Sequence, residues 1–313
     1  VGINYNLGIY DAVHKMRPDK PIFASECCAT GTTRDWNFDT AVFGRIRDKD
    51  RDTNDWFLGR EKTYKFLRER AYVFGCYQWA AVEHRGEAAW PRVCSCSGAL
   101  DLFLQKKGAF YQNKSHWTKD PMAHIVPHWN FKGLEGREIP VTVYTNCEEL
   151  ELFLNGKTLG KQQIEKYGHG EWSVEYIPGT LEVKGYIGGR EVCCDKRVTT
   201  GRPAALKLTQ DNDFTANGSD IALFTCECVD ENGLTVPDAA EYVRFSVSAP
   251  AKIIGTGSDN CDHNNVANTD RKMYMGKIRI AIKPKQGQVS FTLTAMSDNC
   301  GVCEKTVSLC AEN

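Results

Sequence analysis

Apolar and polar positions change rhythm along the chain near Pro121. Before it, short apolar runs alternate with segments of helical period. Residues 1–5 (VGINY) and 21–25 (PIFAS) suit parallel strands buried on both faces. Residues 10–16 between them predict a short helix, ended at Arg17-Pro18 because proline disfavours helix in the residue before it. From Asp55, an N-cap residue type, the segment WFLGREKTYKFLRERA brings Trp56, Tyr64, Leu67 and Ala71 to one helical face, with Arg and Lys on the other. Residues 72–79 (YVFGCYQW) follow as another strand. Strand, helix, strand, helix, strand is the unit of an α/β barrel or a doubly wound sheet, and three strands cannot close a barrel.

After Pro121 the period becomes two. Residues 140–145 (PVTVYT) and 150–154 (LELFL) alternate, and Asn155-Gly156 supplies the two positive-φ residues of a tight hairpin. Residues 171–176 and 179–186 predict further strands of the same antiparallel domain. Residues 205–208, 221–229, 243–248, 277–282 and 289–295, separated by Gly, Asn, Asp and Pro turns, predict a second sandwich. The expected division is 1–121, 122–201 and 202–313.

Composition narrows the function. The 39 basic residues nearly cancel 40 acidic ones, so there is no footprint for nucleic acid or an anionic membrane, and a neutral partner fits. No run of about 18 apolar residues predicts a membrane span, and residues 1–5 lack the regions of a signal peptide. The chain opens inside a strand pattern with no initiator Met, so upstream sequence is expected, and any targeting signal would lie there. Fourteen cysteines sit as neighbours (Cys27-Cys28, Cys193-Cys194) or alternate (Cys94 and Cys96, Cys226 and Cys228). That pattern predicts mostly buried free thiols, a reducing compartment and hence a cytoplasmic location, with disulfides or metal as the alternatives. Cys300 and Cys303, with Cys310 nearby, have the spacing of half a zinc site, but no second pair of comparable geometry accompanies them. Pro127 between His124 and His128 argues against their sharing a helix face. Neither a metal nor a cofactor is expected.

Two stretches resemble glycoside hydrolase family 2. PIFASE, ending in Ser25-Glu26, is similar to the end of the family's seventh barrel strand. Residues 72–79, continuing through Glu83-His84-Arg85-Gly86-Glu87, are similar to its eighth strand and following loop, although Glu83 stands where the family has aspartate and His84 where it has tyrosine. Residues 89–92 (AWPR), 98–102 (GALDL) and the helix from Phe110 to Trp117 extend the likeness. Residues 124–130 (HIVPHWN), 143–146 (VYTN) and 152–157 (LFLNGK) resemble the sandwich after the barrel in β-galactosidases of this family. Residues 255–260 (GTGSDN) resemble a loop of its terminal sandwich, from which Ser258 and Cys261 depart.

The resemblance implies the last three strands of a (β/α)8 TIM barrel followed by two antiparallel immunoglobulin-like β-sandwiches. It implies retaining hydrolysis of terminal β-galactosides by the full-length enzyme, with Glu26 as nucleophile and Tyr5 hydrogen-bonded to it. Trp79 would be the floor of the sugar pocket, and Asn4, Glu83 and Glu87 candidate substrate contacts. A retaining site needs two carboxyl groups about 5–5.5 Å apart. The family's acid/base glutamate lies upstream of anything in this chain, so the chain alone is expected to be inactive. Asn155-Gly156-Lys157 looks like the family's uronate-reading asparagine and lysine, but it falls in the second domain and no such pair follows Trp79, which favours galactoside over glucuronide. Another family 2 β-glycosidase, or a non-catalytic carbohydrate-binding or adhesive protein, is the alternative. Carbohydrate is the expected partner, and homo-oligomerisation stays open.

Overall fold

The computed structural model describes residues 1–38, 44–50, 58–288 and 290–308. The chain divides into two compact units, Val1–Thr199 and Thr200–Asn313.

The first unit begins with strand β1 (Gly2–Asn4), helix α1 (Tyr10–Met16), strand β2 (Ile22–Cys27), helix α2 (Arg60–Arg68), strand β3 (Val73–Gln78) and helix α3 (Gly108–Trp117). The strands form a parallel sheet in the order β1-β2-β3. Its core joins Ile3, Ile22, Ala24 and Cys27 of the strands to Tyr10 of α1 and to Tyr64 and Leu67 of α2. In β3, Phe74 and Tyr77 stand open, 67% and 68% exposed. The helices pack onto the sheet through the core just described, while Phe23 of β2 stacks on Phe74 and meets Tyr77 edge to face.

The second helix differs from its expected form. Asp55 and Trp56 lie outside the described residues, α2 begins at Arg60 after Gly59, and Ala71 is exposed in the turn beyond its end. Arg60, expected on the polar face, is fully buried. Its Nη2 donates to the Ser97 carbonyl at 3.0 Å, and its Nη1 donates to the Thr30 carbonyl at 3.3 Å and lies 3.7 Å from Asp50 Oδ1. A side chain this long can cross the interface when its terminal amino groups find acceptors on the far side, and here both do, although the buried Nε meets none among the described residues.

The unit continues with β4 (Ala123–Val126), β5 (Glu138–Thr145), β6 (Glu149–Leu154), β7 (Lys157–Gln163), β8 (His169–Glu175), β9 (Thr180–Ile187) and β10 (Arg190–Val198). These make two antiparallel sheets, β4-β5-β8 and β10-β9-β6-β7. Ile139, Val141 and Val143 of the first sheet share a core with Leu150, Leu152, Leu181 and Val183 of the second. The turn joining β6 to β7 is the Asn155-Gly156 pair, both at positive φ (50° and 79°). Helix α2 is tied to this sandwich by Glu61 against His169 and by Lys65 against Glu165 at 3.2 Å; nearby, the Asp50 N–H donates to the Tyr144 hydroxyl at 3.0 Å.

The second unit holds β11 (Ala205–Gln210), β12 (Ala222–Val229), β13 (Tyr242–Val247), β14 (Lys252–Gly257), β15 (Asp270–Lys272), β16 (Lys277–Lys283), β17 (Ser290–Ser297) and β18 (Gly301–Ser308). Sheets β11-β12-β16-β14 and β15-β13-β17-β18 enclose one core containing Phe224, Ile278, Ile280, Phe291 and Leu293. Val289, the expected start of β17, and Cys310 lie outside the described residues. Among the described residues, no helix is long and apolar enough to cross a membrane, and no group of three or more His, Cys, Asp or Glu could hold a metal ion.

Candidate active site at the ends of the parallel strands

Parallel strands deliver their last residues to one edge of the sheet. Asn4 of β1 is the Cα partner of Glu26 on β2, and Cys27 pairs with Gln78 on β3. Beyond the strands the pairing continues, since the Tyr5 N–H donates to the Glu26 carbonyl at 2.9 Å and the Trp79 N–H to the Cys27 carbonyl at 2.8 Å. Asn4, Tyr5, Glu26 and Trp79 are thereby brought to one edge, which is where a parallel α/β sheet presents reactive groups.

Tyr5 adopts a left-handed backbone (φ 56°), and its hydroxyl donates to Glu26 Oε1 at 2.5 Å. Burial, then the hydrogen bond and the charge of Glu26, push the Tyr5 pKa well above its ordinary value. The phenol therefore stays protonated and remains a donor to the carboxylate. Asn4 accepts from the Ser25 hydroxyl at 2.6 Å. A Cβ on Gly2 would stand 2.9 Å from Ser25 Oγ, so the absence of a side chain there leaves room for Ser25 beside the nucleophile candidate.

Trp79 is half-buried and joined to Ala80 by a cis peptide bond. Its ring meets His84 edge to face, with centroids 5.3 Å apart. His84 is held from two sides, Nδ1 lying 3.1 Å from Ser95 Oγ and Nε2 3.5 Å from Glu87 Oε2. Sequence reasoning treated His84 only as a departure from a motif. Its sole signal there was a position five residues after Trp79. Gln78 was also missed: it accepts from Asn113 Nδ2, whose side-chain oxygen accepts from Tyr64 at 3.1 Å, so α2 and α3 brace the end of β3.

The two outer glutamates part company. Glu87 sits at positive φ with its side chain 63% exposed and can reach outward. Glu83 is corrected as a substrate contact. Its carboxylate lies 2.6 Å from Lys107 Nζ with both side chains at 0% exposure, and Lys107 also donates to the Cys96 carbonyl at 2.9 Å. A carboxylate sealed in such a pair cannot touch a sugar. A cleft of about 650 Å³ lined by Tyr77, Ala81, Leu100, Phe110 and Trp117 lies beside β3, and Glu26 is not among its lining residues.

Residues 206–306 match the family model described as glycoside hydrolase family 2 C-terminal domain 5, and residues 136–193 match a domain of unknown function (DUF4982). A β-galactosidase of Bacteroides ovatus is 32% identical over 249 residues, covering 77% of this chain and 29% of that protein. A β-glucuronidase of Formosa agariphila is 29% identical over 317 residues, covering 93% of this chain and 31% of that protein. The crystal structure of a glycosyl hydrolase family 2 member from Bacteroides cellulosilyticus superposes with a TM-score of 0.82 at 28% identity, covering 98% of this chain and 40% of that one. The chain thus spans roughly a third of the length of these curated relatives.

Proposed function

Because the chain belongs to glycoside hydrolase family 2, we propose that its full-length protein is a retaining β-glycosidase acting on terminal β-galactosides, with Glu26 as the nucleophile. The observation that carries this reading is the Tyr5 hydroxyl on Glu26 Oε1 at the carboxy-terminal edge of a parallel sheet. β1, β2 and β3 are then the last three strands of a TIM barrel. The division into barrel part, post-barrel sandwich and terminal immunoglobulin-like sandwich at 1–121, 122–201 and 202–313 belongs to the same proposal.

In the first step one Glu26 oxygen bonds to the anomeric carbon while the bond to the leaving oxygen breaks. A second carboxyl, contributed by chain outside these residues, gives that oxygen its proton. Water then attacks the glycosyl ester, returning its proton to the second carboxyl and freeing Glu26. Tyr5 holds Glu26 through a hydrogen bond that steadies the carboxylate before it attacks and again as it is released. Trp79 offers an aromatic face to the apolar face of the sugar, while Asn4 and the exposed Glu87 are the polar contacts of the rim.

Glu26→Gln in the full-length protein should lower turnover of an aryl β-galactoside by about a thousandfold or more, with the fold retained. Survival within about tenfold would remove Glu26 from the mechanism. A β-glucuronide substrate is the second reading, favoured by the Formosa relative that aligns with 93% of the chain. Parallel assays on aryl β-galactoside and aryl β-glucuronide separate the two. Binding without turnover of either would leave a carbohydrate-binding protein.

A further inference from the structure

Cys147 and Cys193 are 46 residues apart in sequence, and their sulfurs stand 3.5 Å apart. Cys147 lies in the turn between β5 and β6, and Cys193 lies in β10, an edge strand of its sheet. Between them runs β9, where Gly185 is the Cα partner of both Leu150 and Cys193. A Cβ at Gly185 would stand 2.7 Å from each sulfur. The bare glycine thus makes the space in which the two thiols meet. Cys147 is buried and Cys193 half-buried, so access comes from the β10 edge. Cys194 is exposed, and successive side chains of a strand point to opposite faces, so it faces away from Cys147.

We propose that Cys147 and Cys193 form a peroxide-sensitive dithiol that closes to a disulfide across the edge of the first sandwich. The contact with Cys193 draws the Cys147 thiol below its ordinary value against the opposing effect of burial, while the same contact pushes Cys193 up. The pair therefore presents a cysteine disposed toward ionisation with its resolving thiol already in contact, 3.5 Å away. Cys147 sulfur attacks one oxygen of hydrogen peroxide. The O–O bond breaks, and the departing hydroxide takes a proton to become water, leaving a sulfenic acid on Cys147. Cys193, once deprotonated, attacks that sulfur. The S–S bond forms, the S–O bond breaks, and a second water leaves. Two thiols lose two electrons and the peroxide gains them.

Cys228 and Cys300 in the second sandwich form an internal contrast. Their sulfurs are 3.6 Å apart and both residues are buried, but burial, then Cys300, pushes Cys228 up to about 12. Proximity without an opening to solvent should react slowly, since both of these cysteines are buried whereas Cys193 is only half-buried.

The test treats the full-length protein with a small molar excess of hydrogen peroxide, blocks remaining thiols under denaturing conditions and maps the peptides by mass. The Cys147–Cys193 peptide, two hydrogens lighter and reversed by dithiothreitol, should appear well before any Cys228–Cys300 peptide. The melting midpoint should rise by several degrees, as expected for a cross-link that restricts the unfolded chain. Cys193→Ser should lose both effects and leave a sulfenic acid on Cys147 that dimedone traps. The proposal fails if Cys147 proceeds to sulfinic acid in the wild type without a cross-link, or if Cys228–Cys300 closes first. Should the serine variant not fold, the wild-type peptide map still decides.

Discussion

In the terminal sandwich Phe224, Ile278, Ile280 and Leu293 are fully buried in a core shared by two facing sheets. In the parallel sheet Phe74 and Tyr77 stand largely exposed, and part of the burial is given over to ions. Arg34 lies 2.7 Å from Asp101, Lys107 2.6 Å from Glu83 and Arg60 3.7 Å from Asp50, all with little or no exposure. The sandwich holds its strands mainly by apolar contact that needs no defined partner, although Arg271 of β15 is buried against Asp262 at 2.6 Å. The parallel layer and its long loop depend on matched charges, and Asp101 and Glu83 both belong to the region following Trp79. That difference fits a candidate site whose groups need fixed direction more than they need a large core, because a buried ion pair specifies geometry without adding much net stability.

The comparison breaks most sharply at the buried charges and the buried ring. Lys107→Met leaves the Glu83 carboxylate without its ammonium partner and should cost about 3–5 kcal/mol, with the double change Lys107→Met, Glu83→Leu recovering most of it. Urea unfolding of the first unit reads both. Equal stability of the single and wild-type proteins would mean that the charge pair has no structural part. In the apolar counterpart, Phe224→Ala should cost about 3–5 kcal/mol in the second unit's transition, through lost contact and the cavity left behind. A cost below about 1 kcal/mol would show that the sandwich core collapses around the gap.

A smaller effect should come from the ionic contact between α2 and β8. Burial disfavours the charge on His169, but Glu61 and Glu171 outweigh it and raise its pKa above 6.5. Burial likewise disfavours the charge on Glu61, but His169 and Lys65 outweigh it and draw the carboxyl down to about 2. The stabilisation from His169 is fully present below its unfolded value and fades as pH rises through its raised folded value. That from Glu61 is present above 4.5, its unfolded value, and fades as pH falls toward 2. The contact should therefore be strongest from about pH 4.5 to 6.5. The stability difference between wild type and His169→Asn should be on the order of 1 kcal/mol there and shrink toward pH 9. Taking that difference removes the separate effect of His116, which burial and Arg68 lower to about 4. A difference that grows with pH would reverse the assignment.

The least expected effect belongs to the open ring of β3. Phe74→Ser should change stability by no more than about 0.5 kcal/mol, because exposed positions have little burial to lose. A larger loss, measured in the full-length protein, would mean that chain outside these residues covers that face.

Strands β5, β6 and β9 and the Asn155-Gly156 turn were legible because each follows from local physics: alternation of apolar side chains in one case, tolerance of positive φ in the other. The likeness at Tyr5, Ser25-Glu26 and Trp79 was legible too, since strand ends of a parallel sheet share one edge whatever their separation along the chain. Strands β10 (REVCCDKRV) and β18 (GVCEKTVS) were not anticipated, and β7 (KTLGKQQ) only as the unnamed returning arm of the Asn155-Gly156 hairpin, because mostly polar strands acquire their form from a neighbour's backbone and not from their own pattern. The fate of individual charges and thiols was likewise beyond the sequence. Glu83 reads the same as Glu87 along the chain, yet one is sealed against Lys107 and the other exposed beside His84. Arg60 looks like a solvated helix residue until Thr30 and Ser97 surround it. Cys147 and Cys193 become a pair only where β9 places a glycine between them. Periodicity reports which side of an element is apolar. Which groups meet across elements depends on how the layers dock, and that is settled by tertiary packing.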